Sequence, residues 1–115
     1  AFSTLSDLRV VVTAHAIGGL AMAAGLSAQS LNASGATALL RKHVYIDTTL
    51  CHPALIRMSV DLLGAENVIA GSDWPIAGEN PLREPLMEAM QKADLSLDEQ
   101  RAIAAGNCRR LLGIH

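Results

Sequence analysis

The stretch Asn67-Val68-Ile69-Ala70-Gly71-Ser72-Asp73-Trp74-Pro75 decides the fold of this chain. Residues 67–71 form a short apolar run, which is typical of a strand buried on both faces of a parallel sheet. The strand leads directly into Asp73, and Pro75 stiffens the turn that follows because its ring fixes a backbone angle. The sequence therefore predicts a carboxylate held at the carboxyl end of a buried strand.

Two similar runs precede this stretch, and helical segments lie between the three. Residues 8–14 and 43–48 are rich in β-branched residues and predict strands. Residues 20–30 favour a helix because they are rich in Ala, Leu and Met, and residues 53–63 have apolar positions at helical spacing. Strands that alternate with helices indicate parallel βα units, so the predicted fold class is α/β.

The segment after the third strand is predicted to be helical. Residues 82–93 carry apolar side chains at helical spacing, and Ser96 with Glu99 has the form of a capping box that opens another helix. We expect Gly106-Asn107 to break that helix, followed by a short turn at residues 108–112. The glycines at 18 and 19 are expected to form a turn before the first helix.

Composition limits the classes of protein to which the chain can belong. Its 115 residues suit a single domain over 1–115, and a hydrophobic content of 50% excludes a disordered tail. A net charge of −2 without a basic patch predicts no nucleic-acid partner. We expect no secretory signal and no membrane span, and two cysteines in unrelated contexts fit a reducing cytoplasm. Aromatics are only 3% of the residues, so the core is expected to be aliphatic and of modest stability.

Polar side chains follow each predicted strand. His15 follows the first strand, Asp47-Thr48 ends the second and Cys51-His52 follows it, and Asp73 follows the third. Functional sites of parallel α/β folds collect at the carboxyl ends of the strands, so we expect these side chains to converge on one region.

Each candidate residue has a functional and a structural interpretation. Asp73 either binds a divalent metal and accepts a proton from a metal-bound water, or satisfies backbone amides in a turn. His15 is either a metal ligand through its neutral imidazole or a buried histidine bonded to a nearby carbonyl. Cys51 and His52 are loop residues near the expected site, and Cys108 is expected to serve packing.

Four segments of the chain resemble the C-terminal part of the amidohydrolase-2 family, which contains aminocarboxymuconate-semialdehyde decarboxylase. The segment 63–75 is similar to the signature around the metal-site aspartate of that family. Residues 8–15 with the glycines after them are similar to a strand that ends in a metal-binding histidine. Residues 44–48 are similar to the next strand, and residues 105–113 are similar to the end of the family's sequences.

The resemblance implies the C-terminal half of a (β/α)8 TIM-like barrel and a metal-dependent enzyme. The implied reaction is hydrolysis or non-oxidative decarboxylation of a small-molecule substrate, either a carboxylic acid or a lactone. His15 and Asp73 would bind a divalent metal, zinc by expectation, and Asp73 would also handle a proton. His52 would take the role of the catalytic loop histidine of the family, although an ungapped comparison places Cys51 there.

The chain also departs from the family pattern. A complete barrel needs about 250 residues, and catalytic zinc normally has three protein ligands. The His-x-His pair of the family is absent from this sequence. The decarboxylases of the family carry an arginine after the glycine turn, and the equivalent stretch here, Gly25-Leu26-Ser27, has none. We therefore expect association, either as a homo-oligomer or with a missing N-terminal half of the barrel.

Two other hypotheses stay open. The first is a truncated, catalytically silent α/β module that self-associates, because an open half-barrel exposes strand edges and apolar faces. The second is a flavodoxin-like binding domain, for which Gly18-Gly19 is only a weak phosphate-loop signal.

Overall fold

A computed structural model describes residues 4–28, 33–74, 76 and 83–114 of the chain. Three short strands form a parallel sheet in the order β1-β2-β3, so that β2 is the central strand. Val12 of β1 pairs with Ile46 of β2, and Ile46 pairs with Val68 of β3. The strands are β1 (Val10–Val12), β2 (Val44–Asp47) and β3 (Val68–Ile69).

Helices connect the strands and follow the last one. The helices are α1 (Ile17–Ala28), α2 (Ala33–His43), α3 (Pro53–Leu63), α4 (Arg83–Lys92), α5 (Leu97–Arg101) and α6 (Asn107–Leu112). Short 3-10 turns lie at Ala14–Ala16 and Ala65–Asn67, and a π-helical segment spans Ala102–Gly106. The predicted bounds of α3 are confirmed, because Pro53 opens it and Gly64, with a φ of 86°, ends it.

The predicted helix break at Gly106-Asn107 is wrong. The chain passes from α5 through the π-helical segment into α6, and Gly106 keeps right-handed helical angles. The carboxamide of Asn107 is buried and donates to the carbonyls of Ala65 and Val68 at 2.6 and 2.7 Å. These tertiary bonds anchor the helix where local propensity favours an end.

The predicted turn at Gly18 and Gly19 is also wrong, because both residues lie inside α1. The reversal after β1 is instead made by the 3-10 turn Ala14–Ala16, which leads directly into the helix. Residues 31–35 include Asn, Ser and Gly, for which the sequence predicts a loop after the first helix. Residues 31 and 32 lie outside the described residues, and residues 33–35 belong to α2, so the prediction is wrong for the described part.

The core lies between the sheet and helices α3 to α5 with the π-helical segment. Ile46 and Val68 of the sheet are fully buried, and Leu63, Met90 and Ile103 cover them from the helices. Tyr45 is the one aromatic residue in this described core, so the expectation of an aliphatic core is confirmed.

Side-chain hydrogen bonds close the amino end of the sheet. Near the start of each strand, a backbone carbonyl bonds to a side chain from a later part of the chain, which satisfies polar groups that would otherwise be buried alone. The pairs are His43 with Leu8 at 2.7 Å, Asn67 with Val44 at 2.8 Å and Asn107 with Val68 at 2.7 Å. Structural contacts therefore occupy the amino end of the sheet, and a functional site is expected at its carboxyl end.

No helix among the described residues combines the length and the apolar character that are needed to cross a membrane.

Candidate functional site

Asp47, the last residue of the central strand, links that strand to the end of β1. Its Oδ1 accepts the backbone N–H of Ala14 at 2.9 Å and that of Thr49 at 3.0 Å. Ala14 and Thr49 are buried and Asp47 is half-buried. The carboxylate therefore satisfies two buried donors at the point where β1 and β2 leave the sheet.

Thr48 links the central strand to the end of β3 in the same way. Its buried hydroxyl donates to the carbonyl of Gly71 at 3.2 Å and accepts the N–H of Gly71 at 3.1 Å. The approach is close: a Cβ on Gly71 would lie 2.9 Å from the Cβ of Asp47. Only glycine fits at position 71 without displacing Asp47.

His15 lies in the 3-10 turn that follows β1, and its side chain is exposed. Its Nδ1 is 3.4 Å from the hydroxyl of Thr13. The interpretation of His15 as a buried histidine is therefore wrong. The imidazole is open to a ligand or a substrate at the carboxyl edge of the sheet.

Asp73 follows β3 with a φ of 58°, in the left-handed region that few residues other than glycine adopt. The turn around it is closed by its own carbonyl, which accepts the N–H of Ile76 at 2.8 Å, and by the Ser72 hydroxyl, which accepts the N–H of Trp74 at 3.2 Å. Among the described residues, these turn bonds do not use the Asp73 carboxylate. Strained backbone of this kind is concentrated at functional sites. Pro75 lies outside the described residues.

His52 caps the first turn of α3. Its side chain is exposed, and Nδ1 accepts the N–H of Ala54 at 3.2 Å. A ring nitrogen that accepts a hydrogen bond carries no proton, so the neutral imidazole has its proton on Nε2. His52 thus has a structural role, and no residue in the described part of the chain is bonded to its Nε2.

Cys51 lies beside His52 and is half-buried, with a φ of 44°. Burial raises the pKa of its thiol, a hydrogen bond with Thr48 opposes that shift, and the negative charge of Asp47 raises the pKa further. The neutral thiol is therefore favoured at pH 7. An open cleft of about 220 Å³ adjoins Cys51, lined also by Pro53, Pro85, Glu88, Ala89 and Lys92.

The structure brings the three strand exits to one edge without completing a metal site. His15, His52 and Asp73 each follow a different strand of the parallel sheet. Within the ranges that the structure describes, no group of three or more His, Cys, Asp or Glu side chains is arranged to hold a metal ion. An imidazole nitrogen and a carboxylate oxygen suit a divalent metal, but a catalytic zinc site normally needs three protein ligands. The residues present therefore fit part of such a site.

The sequence places Asp47 and Thr48 at a strand end, but no local pattern predicts a role for them. The structure gives them the contacts that join all three exits. Their position at the end of a buried strand is the feature of the sequence that points to them. Only the strand order shows that this strand is the central one.

Comparisons with known proteins agree with this architecture. The amidohydrolase family model matches residues 1–114. The structure resembles the 5-carboxyvanillate decarboxylase of Sphingomonas paucimobilis, with 22% identity, a TM-score of 0.67 and 99% of this chain covered. It also resembles a dihydroxybenzoic acid decarboxylase of a Polaromonas species, solved with bound manganese and the inhibitor 2-nitroresorcinol, with 13% identity, a TM-score of 0.67 and 97% of this chain covered. No curated protein matches the chain.

The chain spans 36% of the length of each of these two solved structures. The predicted fold class is confirmed: parallel βα units that are consistent with part of a (β/α)8 barrel.

Proposed function

Because this chain belongs to the amidohydrolase-2 family, we propose that it contributes part of the active site of a metal-dependent hydrolase or non-oxidative decarboxylase. The observation that carries the proposal is the placement of His15, His52 and Asp73 at the exits of three neighbouring parallel strands. Sites of barrel enzymes lie at that end of the sheet. Residues 1–115 are proposed to form one partial barrel domain of a cytoplasmic protein.

His15 and Asp73 are the proposed ligands of a divalent metal, with zinc as our proposal. The bound manganese of the Polaromonas enzyme supports a divalent metal in related proteins. The remaining ligands would come from the rest of a barrel or from a second copy of this chain. When bound, such a metal polarises a substrate oxygen or lowers the pKa of a water molecule.

The protein side chains would orient the substrate and move protons. Asp73 is proposed to accept a proton in addition to its role as a ligand, since its carboxylate takes no part in the described turn bonds. His52 is proposed to donate a proton from Nε2, because its Nδ1 is occupied by the N–H of Ala54. Cys51 is a weaker candidate for a base, because its raised pKa keeps the thiol protonated at pH 7.

The proposed substrate class is a small carboxylic acid or a lactone. The two similar solved structures are named as decarboxylases of carboxylated aromatic compounds. Aromatic carboxylic acids are therefore the first compounds to assay with this protein, followed by lactones.

The test replaces Asp73 and His15 separately. We expect Asp73→Asn to lose both bound metal and turnover, measured by elemental analysis and substrate assay on the same sample. His15→Gln should also lose metal if the imidazole is a ligand. Asp98→Asn is the control, because the Asp98 side chain is 95% exposed and lies far along the chain in α5.

Two outcomes would change the assignment. Metal content and turnover like those of the unchanged protein in Asp73→Asn would contradict the proposed site. Loss of turnover with full metal content in His15→Gln would assign His15 to proton transfer instead of metal binding.

A second candidate function is a catalytically silent module that self-associates. It is favoured by the lack of a three-ligand group within the described residues. It predicts an oligomer that binds no metal and whose unfolding is unaffected by a chelator. Bound metal in molar proportion to the chain would contradict it.

A further inference from the structure

Asp47 fixes the backbone that carries His15. The strand β1 ends at Val12, and the N–H of the buried Ala14 then donates to Asp47 Oδ1 at 2.9 Å. A buried backbone N–H without an acceptor is costly, so this bond holds the start of the 3-10 turn in place. His15 is the next residue of that turn. Asp47 therefore acts on the position of His15 through the main chain.

Thr48 fixes the backbone that leads to Asp73. Its hydroxyl bonds both polar main-chain groups of Gly71, at 3.2 and 3.1 Å. Its own N–H continues the ladder to the carbonyl of Ile69 at 3.0 Å. Gly71 precedes Asp73 by two residues, and β3 therefore leaves the sheet at a position set by the central strand.

Gly71 allows this close approach because it has no side chain. A Cβ at this position would lie 2.9 Å from the Cβ of Asp47 and 3.2 Å from its Oδ2. The exit of β3 thus lies directly against the residue that holds the exit of β1. The two flanking exits are consequently coupled through one short segment.

We propose that Asp47 and Thr48 are positioning residues that hold His15 and Asp73 at a fixed separation across the carboxyl edge of the sheet. This inference rests on the proposed function, in which His15 and Asp73 serve one site. Neither positioning residue needs to touch the substrate, because each acts through backbone hydrogen bonds. Reacting and binding groups lose much of their effect when they are misplaced by about 1 Å, so a device that sets their separation affects binding directly.

The experiment compares substitutions that remove these bonds with substitutions that keep them. Asp47→Ala removes the acceptor and Asp47→Asn keeps a carbonyl oxygen, whereas Thr48→Val removes the hydroxyl and Thr48→Ser keeps it. Each variant of the 115-residue chain is titrated with Mn²⁺, and binding is measured by the broadening of the NMR signals of His15 and Asp73. We expect Asp47→Ala and Thr48→Val to weaken Mn²⁺ binding about tenfold, as for other groups that orient metal ligands. Asp47→Asn and Thr48→Ser should bind like the unchanged chain.

Amide hydrogen exchange separates the failure of this inference from the failure of the proposed function. If the unchanged chain binds no Mn²⁺, the proposed metal site fails for this chain. Positioning is then judged by faster exchange at Ala14 in Asp47→Ala and at Gly71 in Thr48→Val, together with shifted signals of His15 and Asp73. Unaltered signals, exchange and Mn²⁺ affinity in both variants would overturn the inference.

A substitution at a third position tests the coupling without removing a hydrogen-bonding group. Gly71→Ala places a methyl group against Asp47, so it should shift the signals of Ala14 and His15 across the sheet. It also serves if Thr48→Val does not fold, which urea unfolding of each variant would show. Unchanged signals at Ala14 and His15 in a folded Gly71→Ala chain would contradict the coupling.

Discussion

At the scale of single residues, the thiol of Cys51 reports on the electrostatics beside the strand exits. Its pKa is raised by burial and by the charge of Asp47, and a hydrogen bond with Thr48 opposes these effects. The fold therefore favours the neutral thiol. The stability that this preference contributes is fully present at pH values below the pKa of Cys51 in the unfolded chain, and it is lost as the pH rises through the pKa of Cys51 in the folded chain.

We expect Cys51 to be alkylated by iodoacetamide with a pH midpoint above that of the same cysteine in the urea-unfolded chain, because the thiolate is the nucleophile. Mass spectrometry of the Cys51 peptide across a pH series measures the extent of alkylation and so gives the midpoint. Asp47→Asn should move the midpoint to lower pH, since it removes a negative charge. Equal midpoints in the folded and unfolded chains would contradict the raised pKa.

At the scale of elements, the helical run from α5 to α6 depends on bonds at its start and at the first residue of α6. The Oγ of Ser96 accepts the N–H of Glu99 at 3.2 Å, and Oε2 of Glu99 accepts the N–H of Ser96 at 2.8 Å, so the predicted capping box is confirmed. At the junction with α6, Asn107 anchors the run to β3. Between them, the π-helical segment Ala102–Gly106 accommodates both anchors.

Ser96→Ala should lower the free energy of unfolding by about 1 kcal/mol, because it leaves an amide of the first turn without its cap. Urea denaturation followed by circular dichroism measures this difference. Ser96→Asp is the matched control, since an aspartate can accept the same bond. Equal stabilities of the alanine and aspartate variants would show that the cap contributes little.

At the scale of the whole molecule, β1 is an edge strand of the described sheet. Among the residues that the structure describes, β1 pairs only with β2, and Val11 in its middle is 51% exposed. An unpaired strand edge with an apolar side chain is a template for pairing with another chain.

If copies of the chain associate through this strand, Val11→Lys should weaken the association about tenfold, which corresponds to about 1.4 kcal/mol. Sedimentation velocity over a series of concentrations measures the change. Leu112→Lys is the control, because Leu112 is also exposed but lies on α6. Equal weakening by both substitutions would show that the contact is not made by β1.

Features that depend on near neighbours in the chain could be predicted from the sequence alone. The alternation of β-branched runs and helical segments predicted parallel βα units, and the predicted bounds 53–63 and the Ser96 capping box marked helix ends correctly. These signals are local because propensities and caps act within a turn or two of the backbone. The order of His15, His52 and Asp73 after successive strands is equally a property of the sequence.

The residues that join the strand exits could not be predicted from the sequence, because they meet only in the folded chain. Asp47 meets Ala14 across 33 positions of sequence, and Thr48 meets Gly71 across 23. The continuous helix at Gly106 likewise depends on Asn107, which bonds a strand 39 positions away. Contacts at such separations depend on strand order and register, which are set by packing of the whole sheet and leave no local pattern in the sequence.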